Sequence, residues 1–129
     1  MEVLNLTLKK KWFDMIASGE KTEEYREVKD YWARRMVFFF EEMEWDVLEE
    51  MVSDMRKPYR RHNGPEDLLQ YFGVKFRKFD AICFRNGYGA TVPQVTVECN
   101  GVSLSKGKPE WGAEPGKFYF TLRLGKTLG

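Results

Sequence analysis

The chain has few of the residues that hold metals or form disulfides. Its 129 residues include one histidine and two cysteines, Cys83 and Cys99, with no Cys-x-x-Cys pair. Structural zinc sites need four closely spaced ligands of these types, so we expect no metal site, and no motif indicates another cofactor. Both cysteines lie in apolar, strand-like runs, which indicates buried free thiols in a reducing cytoplasm.

Long apolar runs and a strong net charge are lacking as well. The longest fully apolar run covers residues 36–40, far short of the roughly 20 residues that span a membrane. The first residues show no charged and then apolar leader, so neither a membrane anchor nor a signal peptide is expected. A formal net charge of +1 does not indicate a surface that binds polyanions globally. Any contact with nucleic acid must therefore come from a local patch.

The sequence does have enough apolar material for one folded domain. Hydrophobic residues make up 43% of the chain and aromatic residues 16%, which is typical of globular proteins and not of disordered ones. The predicted strands are short, are separated by turns and do not alternate regularly with helices. This pattern favours an α+β domain with a mixed or antiparallel, barrel-like sheet of about five or six strands and about three or four helices.

Residues 19–26 combine a turn glycine with charges of both signs. A short amphipathic helix is predicted before Gly19, which lies where a helix end favours a left-handed residue. After this turn the apolar period changes to two, so Glu24 and Arg26 share one face of a strand, and Lys21 can lean toward it. The three charges could hold a polar planar ligand or move a proton. They could also form an exposed ion pair of small energetic consequence.

The order Gly-x-Lys-x-x-Glu-x-Arg in residues 19–26 resembles the signature of ASCH domains, a branch of the PUA-like superfamily. The resemblance continues in a Trp-Phe-Asp-Met-Ile helix before the motif and in three later blocks. It covers residues 1–35 and 78–128 as a whole, and the later blocks are residues 79–89, 95–99 and 108–112. It implies a small β-barrel flanked by helices, with a cleft lined by Lys21, Glu24 and Arg26. Residues 41–73 are then a helical insertion within a single domain of residues 1–129.

Residues 41–55 form an acidic segment with apolar residues at helical spacing, which predicts an amphipathic helix. Its apolar stripe could face the core or could dock a partner protein. Residues 56–65 reverse the charge in a stretch broken by proline and glycine, which predicts an exposed basic loop. This loop could offset the preceding acids, or it could contact phosphates while its tyrosine stacks on a base. The residues of this nucleic-acid patch are Arg56, Lys57, Tyr59, Arg60 and Arg61.

A second polar cluster is predicted where a buried strand over residues 79–84 ends. Arg85, Asn86 and Tyr88 follow it in a glycine-rich turn. The glycines allow a ligand to approach the backbone closely, although Asn-Gly is also an ordinary signal for a tight hairpin. The cluster is therefore a candidate ligand-binding site or a simple turn.

Two further candidates follow this turn. Glu98 lies in the return strand over residues 94–99, as a candidate second carboxylate or an ion-paired strand residue. Residues 100–116 are rich in glycine and are predicted to be a loop, in which Trp111 plugs one end of the barrel or offers a stacking face. The last strand is predicted over residues 118–124.

Three functions are compatible with these features. The first, implied by the resemblance, is a monomeric, cytoplasmic domain that binds RNA or a modified nucleoside. In it Glu24 bonds to a base, and Lys21 and Arg26 hold phosphate or carbonyl oxygens. The second, similar to some ASCH relatives, is an amidohydrolase of acylated cytidine with Glu24 as base and Lys21 at the oxyanion. The threonine that those relatives carry three residues after the lysine is replaced here by Glu24. The third is a protein-interaction module that uses the acidic helix over residues 41–55.

Overall fold

The fold combines seven β-strands with four α-helices and one short 3-10 helix, and the computed structural model describes residues 1–129. The predicted α+β class is confirmed. None of the helices has both the length and the apolar character needed to cross a membrane. In chain order the elements are β1 (Val3–Leu8), α1 (Lys10–Ala17), β2 (Glu23–Glu27), α2 (Asp30–Met36), β3 (Val37–Phe39), α3 (Trp45–Arg56), α4 (Pro65–Phe72), β4 (Val74–Phe76), β5 (Ala81–Asn86), β6 (Gln94–Lys106), the 3-10 helix (Pro109–Trp111) and β7 (Phe118–Thr127).

Hydrogen bonds order five strands as β1-β5-β6-β7-β2, while β3 and β4 form a separate two-stranded sheet. β1 and β5 run parallel, with Val3 opposite Ala81. β5 and β6 run antiparallel, with Ala81 opposite Glu98. The larger sheet is therefore mixed, as the sequence predicts. The chain divides into two compact units, and we describe each by itself.

The first unit comprises residues 1–24, 78–101 and 122–129. Alternation along β1 buries Leu6 and Leu8, and the apolar side of α1 buries Phe13 and Ile16. Helix α1 ends just before Gly19, whose φ of +84° is the left-handed conformation that a helix end favours. The predicted order of helix, glycine turn and strand is therefore confirmed.

Both cysteines lie in the first unit as free, half-buried thiols, so they are less buried than predicted. Burial raises the pKa of the Cys99 thiol, and this effect outweighs the opposing effects of a backbone hydrogen bond from Gly101 and of the positive charge of Arg123. The Cys99 side chain therefore remains a neutral thiol at physiological pH.

The second unit comprises residues 25–77 and 102–121. The apolar stripe of the acidic helix α3 is buried here, so it forms core and is not a free docking face. Helix α4 begins with a proline in its first turn, a position that proline favours, and ends at Gly73, whose φ is +67°. The buried apolar residues of α3 are Leu48, Met51, Val52 and Met55.

The apolar run over residues 36–40, whose unbroken character is typical of a buried strand, is strand only in part. Strand β3 covers only Val37–Phe39, and Phe40 is 63% exposed. β3 pairs with β4, which the sequence analysis did not identify. Helix α3 begins at Trp45 and not at residue 41. A three-residue strand gives too short a pattern for its period to be recognised, and its pairing partner lies more than 30 residues away in sequence.

Residues 100–106 were predicted to be loop but extend β6 to Lys106. Gly101, with a φ of +134°, interrupts the alternation of side chains in the middle of the strand. A glycine inside a strand looks like a strand end when only the local sequence is considered. β7 likewise continues beyond the predicted residue 124 to Thr127.

Met51→Ala should lower the free energy of unfolding by about 2–5 kcal/mol, because it empties a fully buried position of α3. The matched control is Val47→Ala on the same helix, where Val47 is 37% exposed and the expected loss is below about 1 kcal/mol. Urea denaturation at pH 7 measures both. Equal small losses would contradict a core role for this stripe and restore it as a docking face.

Candidate functional site

Lys21 and Glu24 form a buried ion pair in the first unit. Lys21 Nζ donates to Glu24 Oε1 over 2.7 Å and to the Glu23 carbonyl over 2.7 Å. The Lys21 side chain is fully buried, and that of Glu24 is 8% exposed. The Trp12 ring covers the ammonium group at 5.8 Å from its centroid. Removing two charges from water is costly, and such groups are enriched at functional sites.

Two of the predicted site residues in the second unit, Arg26 and Trp111, each take part in a contact between a cation and an aromatic ring. The guanidinium carbon of Arg26 lies 5.0 Å from the centroid of the Trp32 ring. Trp111 is half-buried in the 3-10 helix, and Lys108 Nζ lies 4.4 Å from its ring centroid. The backbone N–H of Lys108 also donates to the Tyr25 hydroxyl over 3.0 Å. Trp111 is thus held at a fixed turn with one cation on its face.

Arg85 organises the loop that follows β5. Its Nη2 donates to the Gly89 carbonyl, while its Nε is buried without a hydrogen-bond partner. The backbone N–H of Asn86 donates to the Pro93 carbonyl over 3.0 Å. The connection between β5 and β6 is therefore a longer loop and not the tight Asn-Gly hairpin. Tyr88, at its tip, is 89% exposed.

Glu98 is engaged with the backbone of β7. Its Oε1 accepts a hydrogen bond from the Lys126 backbone N–H over 3.1 Å. Gly125 lies so close that a Cβ there would be 2.9 Å from Glu98 Cβ. This carboxylate therefore joins neighbouring strands, in keeping with the strand-residue alternative.

A basic pocket of about 600 Å³ lies in the second unit. This volume is within the range of pockets that hold small ligands. The lining includes six cations against one carboxylate, Glu27, together with two aromatic rings. The charged and aromatic residues that line the basic pocket, besides Glu27, are Lys29, Arg56, Lys57, Tyr59, Arg60, Lys106, Lys117 and Phe118.

Several contacts fix the walls of the basic pocket. Arg56 Nε donates to the Val28 carbonyl over 3.0 Å. Tyr59 and Phe118 pack with their ring centroids 6.1 Å apart, and Lys106 Nζ lies 5.6 Å from the Phe118 centroid. Lys117 Nζ is 3.5 Å from Glu27 Oε1, so the one carboxylate offsets part of one cation. The remaining charges give the pocket a strong positive potential.

Four of the five residues predicted for the nucleic-acid patch line this pocket, and Arg61 does not. The Arg61 guanidinium instead contacts two acids of α3, with Nη1 3.4 Å from Asp54 Oδ1 and Nη2 3.1 Å from Glu50 Oε1. The sequence analysis missed Lys106, Lys117 and Phe118, which reach the pocket from β6, β7 and the segment between them.

The carboxylate of Asp54 anchors the basic loop from inside the second unit. Its side chain is 1% exposed, and its Oδ2 lies 2.8 Å from His62 Nε2. The His62 ring is itself nearly buried and packs against the Tyr71 and Phe72 rings of α4, at 5.2 and 6.1 Å between centroids. The only histidine of the chain is thus a buried partner of a carboxylate.

Two further hollows of the second unit have the opposite charge. Both are lined by Glu42, Met43 and Glu44, and their volumes are about 640 and 480 Å³. The larger hollow sets Arg34 against its two acids, whereas the smaller has three acids and no cation, so neither has the excess of positive charge that attracts a phosphate. No group of three or more His, Cys, Asp or Glu side chains is arranged to hold a metal ion.

Comparison with known proteins gives no relative: no protein-family profile, no curated protein and no solved structure matches the chain.

Lys21→Met should lower the free energy of unfolding by about 3–5 kcal/mol, because the buried Glu24 carboxylate would lose the ammonium group that offsets its burial. The control is Lys10→Met, which removes an exposed ion pair with Asp14 and should cost less than about 1 kcal/mol. Urea denaturation at pH 7 gives both values. A loss for Lys21→Met no larger than the control would show that the pair is solvated in solution.

Proposed function

We propose that this chain is an RNA-binding domain of the ASCH kind, with a PUA-like fold, and that RNA binds at the basic pocket. The observation that supports this proposal is the lining of the pocket, where six cations and two aromatic rings face a single carboxylate. Contacts from lysine and arginine to phosphates supply most of the affinity of proteins for nucleic acids.

For binding a polyanion, the local excess of positive charge at the basic pocket matters more than the net charge of the chain. The chain as a whole has a formal net charge of +1, so a polyanion gains little from the average surface. At the basic pocket the excess is about five positive charges, six cations less one carboxylate. A polyanion is therefore drawn to this pocket more than to the acidic hollows.

The Lys21–Glu24 pair has a different part in the proposal. Following the resemblance, we assign it the recognition of a base, where a buried carboxylate accepts hydrogen bonds from an amide or amino group. Hydrogen bonds are electrostatically stronger in such a dry environment than in water.

A single-stranded RNA of about ten nucleotides should bind with a steep dependence on salt. Three to five phosphate contacts would give a slope of log K against log salt of about −2 to −3.5, since each contact contributes about −0.7. Fluorescence anisotropy titrations at about 50 and 200 mM salt measure this slope. Absence of binding at the lower concentration, or binding without a slope, would overturn the proposal.

Arg60 and Arg61 provide a matched pair of variants for this titration. Arg60 lines the basic pocket, whereas Arg61 is held by Glu50 and Asp54. Arg60→Gln should weaken binding at both salt concentrations and make the slope shallower by about 0.7. Arg61→Gln removes the same charge one residue later, while His62 still holds the Asp54 carboxylate at 2.8 Å, so the loop stays anchored and the slope should be unchanged. Equal effects would show that RNA responds to the net charge and not to the pocket.

A second candidate function is the hydrolysis of an acylated cytidine. The observation that favours it is the 2.7 Å contact between Lys21 Nζ and Glu24 Oε1 in a buried setting, because a base and a cation held together can activate water. Water would add to the amide carbonyl as Glu24 takes its proton. The C–N bond would then break, the proton would pass to the leaving amine, and a carboxylic acid and cytidine would result.

Incubation with N4-acetylcytidine, followed by chromatography, tests this candidate. The hydrolase hypothesis predicts release of cytidine that falls at least about 100-fold in Glu24→Gln, since general-base catalysis contributes about 10²–10⁴-fold. Circular dichroism must show that the variant is folded. Absence of turnover, or turnover undiminished in Glu24→Gln, would remove the hydrolase and leave the RNA-binding proposal untouched.

A further inference from the structure

We infer that the basic pocket takes an unpaired nucleotide, with its base stacked on Tyr59 and its phosphates on the surrounding cations. The inference rests on the proposed function and narrows its ligand to single-stranded RNA. It depends on three features of the second unit: a braced aromatic ring, an anchored loop and cations that share the pocket with that ring.

The Tyr59 ring is a supported but accessible surface. It is 66% exposed, although Phe118 packs beside it at 6.1 Å between centroids. Gly64 lies directly against the ring, because a Cβ built there would be 3.0 Å from Tyr59 Cε1. Gly64 also has a φ of +121°, which glycine adopts without strain. A large ring held by neighbours and open to solvent is what base stacking needs.

The loop that carries Tyr59 is fixed at both ends. The Lys57 backbone N–H donates to the Asp54 carbonyl over 3.0 Å, and the Arg60 N–H donates to the Lys57 carbonyl over 3.0 Å. Two residues later His62 is held by the buried Asp54 carboxylate at 2.8 Å. Little conformational entropy would therefore be lost when a base stacks, because the ring is already positioned.

The cations that share the pocket with this ring come from separate parts of the chain. Arg56, Lys57 and Arg60 belong to the same segment as Tyr59, while Lys106 ends β6 and Lys117 directly precedes β7. Phosphates on both sides of one nucleotide could thus be neutralised while its base rests on Tyr59. In a duplex each base is stacked inside the helix, so only an unpaired or extruded nucleotide can offer its face.

The test compares wild type with Tyr59→Leu and Tyr59→Phe, using an RNA of about ten nucleotides as single strand and as duplex. Tyr59→Leu should weaken single-strand binding about 5- to 150-fold, the range for loss of one stacked base. Its salt slope should stay at the wild-type value, because no phosphate contact is removed. Tyr59→Phe keeps the ring and should bind within about threefold of wild type, while the duplex should bind wild type at least about tenfold more weakly than the single strand.

A competition experiment distinguishes the contribution of the base to binding from that of the phosphate. Adenosine monophosphate should displace the single strand from wild type at a concentration at least about fivefold lower than inorganic phosphate, and Tyr59→Leu should abolish that difference. Thermal unfolding of each variant checks that the exposed substitution leaves the fold intact. Loss of the difference between the two competitors in a folded variant would therefore show that the Tyr59 ring binds the base.

The outcomes separate this inference from the proposed function. If Tyr59→Leu binds like wild type while Arg60→Gln weakens binding, or if the duplex binds as tightly as the single strand, the pocket binds RNA as a polyanion and the stacking inference is wrong. If wild type binds no RNA at low salt, the proposed function itself fails. A selective loss in Tyr59→Leu with an unchanged salt slope supports both.

Discussion

The buried carboxylate of Asp54 is the constraint on which the basic pocket depends. A carboxylate that is 1% exposed needs partners, and it takes them from the loop that follows α3, as Arg61 and His62. These contacts turn the loop back over the helix. Tyr59 and Arg60, between the helix and that anchor, are thereby presented to the pocket. A loop of this composition without an anchor would lose more entropy when it binds a ligand.

The second unit separates its charges, and this separation gives a nearly neutral chain a directional field. The cations surround the basic pocket, whereas Glu42 and Glu44 line the two acidic hollows. The hollows draw on the start of the acidic segment, whereas the pocket combines the basic loop after that segment with Lys29, Lys106 and Lys117. A polyanion is therefore attracted to the basic pocket more than to the hollows.

Local signals in the sequence were enough to predict most helices and the strands around residues 19–26. Gly19 ends a helix in the predicted left-handed conformation, because helix ends depend on nearby residues. Only part of the lining of the basic pocket could be predicted from the sequence. Lys106 and Phe118 reach the pocket from strands whose pairing is set by the whole fold. Because Gly101 resembles a strand end in the local sequence, the continuation of β6 to Lys106 was not predicted. The charge pattern placed Arg61 with the residues that line the pocket, because composition alone does not reveal that Glu50 and Asp54 bind its guanidinium.

The environment of each charge, more than its residue type, decides what it can do. Lys21 is fully buried and bonded to Glu23 and Glu24, so moving it toward a distant phosphate would break strong bonds in a dry setting. Arg60 is exposed, so counterions screen it and are released when a phosphate replaces them. Affinity from the exposed cations must therefore vary with salt, whereas any selectivity from the buried pair must vary little. A ligand that needs both would keep its preference for one base while losing affinity as salt rises.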